Sequence, residues 1–279
     1  MWSLCKWSLR NKCKGPKKFG SFFILCKNEN MKLEKEIGWL LKEKYFDKPS
    51  EKFDTDVKRL KVGEPLAYVI GFVDFLGCKI DVSKKPLIPR LETEFWVSNV
   101  VESLKLKVES GDIRVLDIFA GSGCIGVAVL KNIKASKVTF IEKDKNLLTQ
   151  IKINCKINNI DAKKYKIKQS DIFKNVKGKF DYIFSNPPYI PLNHKKKIQK
   201  SVLAYEPKMA LFGGKDGLFY IKKFLAIAKY FLNSDGKIYM EFDPPQKKEL
   251  QNLLLEYSYK TWEFKKDQYD KFRYVIIYK

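Results

Sequence analysis

Beyond residue 112 the chain alternates short apolar runs with amphipathic segments, and this alternation restricts the fold more than any other feature. The runs IRVLDIF (113–119), KVTFIE (137–142), YKIKQS (165–170), FDYIFS (180–185) and GKIYMEF (236–242) have strand length and strand composition. Segments 123–132, 144–158, 217–232 and 247–256 carry apolar residues at helical spacing. Strands that alternate with helices build a parallel sheet covered on both faces, because each parallel connection must cross over the sheet. The ending YKTWEFKKD and FRYVIIYK reads instead as two strands joined by a turn, an antiparallel edge. The fold class is therefore α/β, a mostly parallel sheet with an antiparallel C-terminal edge. Ligands of such sheets bind outside the carboxyl ends of the strands.

Three of those ends carry acids. VLDIFAGSGCIG (115–126) is an apolar strand ending in Asp117, followed by a glycine turn that opens a helix. Gly121 and Gly123 let a ligand approach the backbone without obstruction from a Cβ, with Ala120 beside them. Glu142 ends the next strand, where a carboxylate can accept both hydroxyls of a ribose. Asp171 and Ile172 follow the third strand, placing an acid for an adenine amino group beside an apolar side chain. Phe119 stands where a pyrophosphate-binding turn has its first glycine, and the turn holds no basic residue. A nucleoside without a phosphate fits this pattern, which points to S-adenosylmethionine.

The fourth strand ends in SNPPYIP (185–191), where three prolines rule out continuation of the strand. The Asn186 side-chain carbonyl and the Pro187 backbone carbonyl can accept the two N–H bonds of an amide or exocyclic amine. That would aim the nitrogen lone pair at a methyl group. Pro188 stiffens the loop, and Tyr189 is expected to pack against a flat target group. Together these features resemble the Rossmann-like class I methyltransferases, and the Asn-Pro-Pro-Tyr resembles that of enzymes modifying adenine N6 or glutamine side chains.

GEPLAYVIG (63–71), LIPRLETE (87–94) and AYEPKMALFGGKDGL (204–218) resemble the release-factor glutamine methyltransferase family, as do MEFDPPQ and DQYDKFRYV. The resemblance runs from about residue 60 to the end. It implies transfer of a methyl group to N5 of the glutamine in the Gly-Gly-Gln loop of class 1 peptide-chain release factors. It also implies a substrate-binding role for Glu206 with Asn186, Pro187, Pro188 and Tyr189. Glu206-Pro207 and Gly213-Gly214 lie in a long connection after the platform, read as a loop that can cover the entering glutamine. Arg90 and Glu92 are expected to join the N-terminal region to the catalytic domain. Departures from the family pattern are Leu91 for a proline, Phe119 and Ala120 in the turn, and Asp243 for a glycine. The alternatives are an N6-adenine methyltransferase of DNA or RNA, and a non-catalytic nucleoside-binding module.

The expected domains are a disordered basic extension (1–30), a short helical recognition domain (31–62), a β-hairpin linker (63–90) and the methyltransferase domain (91–279). In the helical part Leu33, Ile37, Leu40 and Leu41 share one face, and Phe53, Val57 and Leu60 share another. The formal charge of +23 would suit a nucleic-acid partner, but HKKKIQK (194–200) and the N-terminus are the only dense basic clusters. A lysine-rich solvated surface accounts for it, so stable nucleic-acid binding is not expected. No run approaches the roughly 18–20 apolar residues that span a bilayer. A single histidine and six cysteines without a CxxC pair argue against a metal site. A cytoplasmic monomer is expected, although the acid-free residues 1–28 are also compatible with organellar targeting.

Overall fold

A computed structural model describes residues 29–106 and 112–279, so the extension expected over 1–30 lies outside the described residues apart from its last two. Helices α1 (Glu29–Tyr45) and α2 (Glu51–Lys61) pack through the predicted faces, Leu33, Ile37 and Leu40 against Phe53, Val57 and Leu60. Ser50 caps α2 by accepting the Phe53 N–H at 3.4 Å.

The stretch 63–82 is not all hairpin. Leu66–Ile70 forms a third helix, α3, whose five residues are all buried and complete the small core with Leu66, Val69 and Ile70. Pro65 immediately precedes it, and Gly71, at φ 99°, ends it in the left-handed conformation that favours glycine. A run buried all round has no alternation, which is why periodicity misassigns it. The hairpin is confined to β1 (Phe72–Phe75) and β2 (Cys78–Asp81).

A half-buried ion cluster locks the helical unit. Asp56 accepts hydrogen bonds from Lys44 Nζ (2.7 Å), the Tyr45 hydroxyl (2.8 Å) and Arg59 Nη1 (2.8 Å). Arg59 also grips Glu64 through two bonds of 2.8 and 2.9 Å. Burial alone would raise the Asp56 pKa, but the three donors outweigh it and hold the group below its ordinary value. A depressed carboxylate pKa gives stability that is present above the unfolded value of about 3.9 and is lost as pH falls through the folded value. Asp56→Ala is expected to cost this unit about 1–3 kcal/mol at neutral pH. In acid titrations monitored by circular dichroism, the difference from the parent chain should shrink below about pH 4.

Strands β3 (Ile113–Ile118), β4 (Ser136–Glu142), β5 (Tyr165–Gln169), β6 (Phe180–Ser185), β7 (Leu232–Glu241), β8 (Thr261–Lys266) and β9 (Phe272–Tyr278) form one sheet. Its order is β5-β4-β3-β6-β7-β9-β8, parallel from β5 to β7, with β9 and β8 antiparallel. Alternation assigns the faces. Val115, Phe140 and Phe184 pack on one side under α4 (Leu91–Lys105), α5 (Cys124–Asn132) and α6 (Lys145–Ile157). Leu116, Ile141, Ile183 and Met240 pack on the other.

Two short helices, α7 (Lys200–Tyr205) and α8 (Lys208–Leu211), cross the carboxyl ends of the strands and were not foreseen. α9 (Phe219–Ala228) and α10 (Lys247–Glu256) cover the second face. Among the described residues no helix is long and apolar enough to cross a membrane.

The hairpin is fixed to the sheet domain by side-chain amides. Asn154 on α6 accepts the Asp81 N–H (2.8 Å) and donates to the Asp81 carbonyl (3.1 Å). Asn158 does the same for Lys79 at 3.0 and 2.8 Å, and Gln150 accepts the Lys84 N–H at 2.9 Å. Residues four apart share one helix face, so these amides stand in for a neighbouring strand along the edge of β2.

Candidate active site

A pocket opens at the carboxyl ends of β3, β4, β5 and β6, where the strand-end reading placed it. Ala120 and Gly121 line it beside Glu142, Asp171, Ile172, Asn186 and Pro188. A Cβ on Gly121 (φ 54°) would meet only the Phe119 carbonyl oxygen, 4.0 Å away, so the turn leaves open space in front of its backbone. Phe119 holds φ 60° and Ile172 φ 53°. Phe119 therefore holds the left-handed conformation that favours glycine, at about 1–2 kcal/mol of local strain. Both left-handed residues border the pocket, where such strain concentrates in functional sites.

The three strand-end acids are not equivalent. Glu142 receives N–H groups from Gly121 (2.8 Å), Lys143 (2.7 Å) and Asp144 (2.8 Å). A carboxylate has about four acceptor sites, so it offers one further site rather than the two that a pair of ribose hydroxyls would take. Burial pushes its pKa up, and the three backbone donors pull it back. Asp171 is exposed and paired with Lys143 at 3.0 Å.

Asp117 corrects the sequence expectation. It is fully buried, accepts the Gly126 N–H at 2.9 Å and is not among the residues that line the pocket. Burial, reinforced by Glu142, raises its pKa to about 8 despite that bond. Its work is to tie β3 to the first turn of α5. Gly123 is also absent from the lining; a Cβ there would lie 3.1 Å from the Ile151 side chain, so this glycine lets α5 approach α6.

The platform is clamped from behind. Ile190 pairs with the segment after α8, accepting the Gly213 N–H (3.0 Å) and donating to the Leu211 carbonyl (2.9 Å). A Cβ on Gly213 would lie 2.5 Å from the Pro188 carbonyl oxygen and overlap that of Gly217. The paired glycines thus brace the platform, whereas the sequence reading gave Gly213 and Gly214 to a covering loop. Pro187 is buried and does not line the pocket.

Tyr189 and Glu206 also take other places than expected. The Tyr189 hydroxyl turns inward and donates to Glu241 Oε1 at 2.9 Å, so this side chain anchors the loop. Burial and the neighbouring carboxylate raise its pKa well above 10 and keep it a donor. Glu206 accepts from Arg90 Nη2 (2.8 Å) and the Ile88 N–H (3.1 Å). It lines the adjoining cleft, where Glu92 also sits. Arg90 therefore joins the strap before α4 to the segment after α7, and Glu92 is not its partner.

Sequence reasoning missed Thr93, Trp96 and Glu241 as site residues. Thr93 Oγ1 accepts from Asn186 Nδ2 at 3.2 Å and donates to Glu241 Oε2 at 2.7 Å. Trp96 Nε1 donates to the same oxygen at 2.8 Å. Burial raises the Glu241 pKa, against the pull of Thr93, Trp96, Tyr189 and Arg273. The available signal was an acid at the end of a fifth strand, in MEFDPPQ, the same rule that selected the first three.

Comparison with known proteins matches residues 93–215 to a family described as the methyltransferase small domain. A release factor glutamine methyltransferase of Flavobacterium psychrophilum is 34% identical over 229 residues, covering 81% of this chain and 79% of that protein. The chain belongs to the release factor glutamine methyltransferase family. A release factor glutamine methyltransferase of Thermodesulfovibrio yellowstonii is 37% identical, covering 75% of this chain and 74% of that protein. A methyltransferase structure from Pyrococcus furiosus shares the fold, with a TM-score of 0.51 at 22% identity over 81% of this chain and 96% of that one.

The departures of this chain from the family pattern have local explanations. Leu91 is the first residue of α4, a position where proline is favoured but not required. Asp243 adopts φ −77°, open to any residue, so glycine is not needed there. Its N–H donates to Gln246 Oε1 at 3.2 Å, and Gln246 Nε2 donates to the Tyr189 carbonyl at 2.9 Å.

Proposed function

We propose that this enzyme transfers a methyl group from S-adenosylmethionine to N5 of the glutamine in the Gly-Gly-Gln loop of class 1 release factors. The observation that carries the reaction type is Asn186. Its NH₂ is committed to Thr93, and its side chain lines the pocket beside the nucleoside half. Asn186 Oδ1 and the Pro187 carbonyl accept no hydrogen bond among the described residues; of the two residues only Asn186 lines the pocket, so Asn186 Oδ1 is the acceptor in place for an amide NH₂. The family relatives, named for release factor glutamine methylation, support the choice of substrate.

The residues present fit the cofactor. Gly121 leaves room for a nucleoside, Glu142 keeps one acceptor site, and Asp171 and Ile172 supply an acid beside an apolar contact. The basic groups that line the pocket, Lys143 and Arg90, are paired with Asp171 and Glu206, which suits a ligand without phosphate. When bound, S-adenosylmethionine supplies an electrophilic methyl carbon on a sulfonium. The chain's own part is to hold the amide by its hydrogens and to set fixed carbonyl dipoles against the positive charge that grows on its nitrogen. The prolines keep those acceptors from having to reorganise. On this reading the enzyme works as a cytoplasmic monomer without stable nucleic-acid binding.

Glu142→Ala should weaken S-adenosylmethionine binding about tenfold or more, the scale of a lost charged hydrogen bond; equal affinity in calorimetry would remove Glu142 from the site. The function is tested by labelled methyl transfer to purified release factor, to the factor with its loop glutamine replaced, and to DNA and RNA. Label on the intact factor alone is expected. Label confined to nucleic acid would transfer the platform to adenine N6 chemistry, which the basic run 194–200 beside it would then serve.

A further inference from the structure

A buried chain of side chains behind the platform decides which end of the Asn186 amide faces the pocket. Trp96 lies at its far end with 0% exposure, and an indole N–H can only donate. Glu241 Oε2 must therefore be an acceptor, at 2.8 Å. Thr93, 2% exposed, places its single hydroxyl hydrogen on the same oxygen at 2.7 Å. With that hydrogen committed, Thr93 Oγ1 has only lone pairs left. The part of Asn186 that reaches it, at 3.2 Å, has to be the NH₂ group. A planar amide that turns its nitrogen to Thr93 turns its oxygen away from it.

We propose that Thr93 and Glu241 are positioning residues that lock Asn186 with its carbonyl oxygen toward the incoming N–H group, making the site selective for a nucleophile that has hydrogens to donate. The inference rests on the reading of Asn186 as the acceptor for the substrate amide. Without the chain, the Asn186 amide has two orientations of nearly equal shape. In one of them its NH₂ faces the substrate NH₂, donor against donor, leaving both unsatisfied. Glu241 reaches the other side of the platform as well, since Oε1 takes the Tyr189 hydroxyl at 2.9 Å. One carboxylate at the end of β7 thereby sets both the loop's position and its hydrogen-bonding polarity.

Two pairs of variants separate this role from a merely structural one. Thr93→Val keeps the shape and removes the hydroxyl; Thr93→Ser keeps the hydroxyl. The valine variant should lose roughly 10- to 100-fold in kcat with release factor, the scale of a misoriented reacting group. Its S-adenosylmethionine affinity should stay unchanged, and the serine variant should retain turnover. Glu241→Gln should retain much of the turnover, because Trp96 forces the glutamine oxygen to the Oε2 position and Thr93 keeps its acceptor. Glu241→Leu should behave like Thr93→Val.

A second readout needs no substrate. In the full chain labelled with ¹⁵N-asparagine, the Asn186 NH₂ resonances, assigned by their loss in Asn186→Asp, should shift toward free-amide values in Thr93→Val and not in Thr93→Ser. Identical Asn186 resonances in Thr93→Val and the parent chain would overturn the proposal, as would undiminished kcat in that variant. If Thr93→Val does not fold, the comparison of parent chain with Glu241→Gln decides: a moved Asn186 resonance there refutes the lock. A parent chain that methylates no release factor would fail the substrate reading while leaving the spectroscopic result to judge the lock.

Discussion

Asn186→Ala is expected to lower turnover on release factor by about 10² or more, the cost of removing a preorganised acceptor, while affinity for S-adenosylmethionine stays close to that of the parent chain. The truncation deletes Oδ1 and the NH₂ that meets Thr93, but Thr93 keeps its bond to Glu241 and no buried charge is stranded. The nucleoside half of the pocket is built on other strands, from Gly121, Glu142, Asp171 and Ile172. The loss should therefore appear in kcat and be nearly silent in calorimetry with the cofactor. Parent-level turnover in Asn186→Ala would deny the asparagine any part in holding the nucleophile.

Gly213→Ala should produce a loss of comparable size from a residue that does not itself line the pocket. The new Cβ would lie against two backbone oxygens, those of Pro188 and Gly217, and neither can rotate away as a side chain would. Relief requires the platform or the bracing segment to move. A displacement near 1 Å costs a catalytic group on the order of 10² in rate, and the overpacking itself should cost about 1–3 kcal/mol of stability. Gly38→Ala is the matched control. That glycine lies inside α1, and nothing stands within 4 Å of an added Cβ. The control should keep full turnover and gain helix stability of up to about 1 kcal/mol. Full activity in Gly213→Ala would mean that the platform is not held in place by this contact.

The parallel sheet was legible because each strand signals itself locally. FDYIFS is a strand from Phe180 to Ser185, as read, and the helix read over 247–256 has those bounds. The position of the pocket followed from the same strands, since their carboxyl ends share one edge of the sheet. What each strand-end acid does was not legible. Asp117 and Glu142 both end strands beside the glycine turn, but Asp117 lies inside β3 and points into the interior, whereas Glu142 is the last residue of β4. The two share a face of the sheet, since Asp117 pairs with Phe140 and Glu142 lies two residues beyond it. Depth along the strand decides which one reaches the pocket, and the end of a strand is known from sequence only to within a residue or two. The chain from Asn186 through Thr93 to Glu241 was invisible for another reason. Thr93 and Glu241 are 148 positions apart, and no periodicity connects them. The Arg90–Glu206 pair, 116 positions apart, is of the same kind. Sequence placed Asn186 and Glu206 at the site, missed Thr93 and Glu241, and was silent about every one of these pairings.

The amides of α6 along β2 also bear on how this protein behaves when it is concentrated. An exposed strand edge is a template on which a second chain can continue the sheet. On β2 that template is already taken, because Asn154 and Asn158 occupy the donors and acceptors of Asp81 and Lys79. The two outer strands of the large sheet carry a different safeguard, Lys166 and Lys168 on β5 and Lys265 and Lys266 on β8. Stacking a second copy against β5 would bring ammonium groups together, whereas on β8 Lys265 and Lys266 are paired with Glu263 and Asp270. Part of the lysine excess that the sequence assigns to a solvated surface thus sits on the sheet margins, where charged side chains oppose strand-by-strand addition.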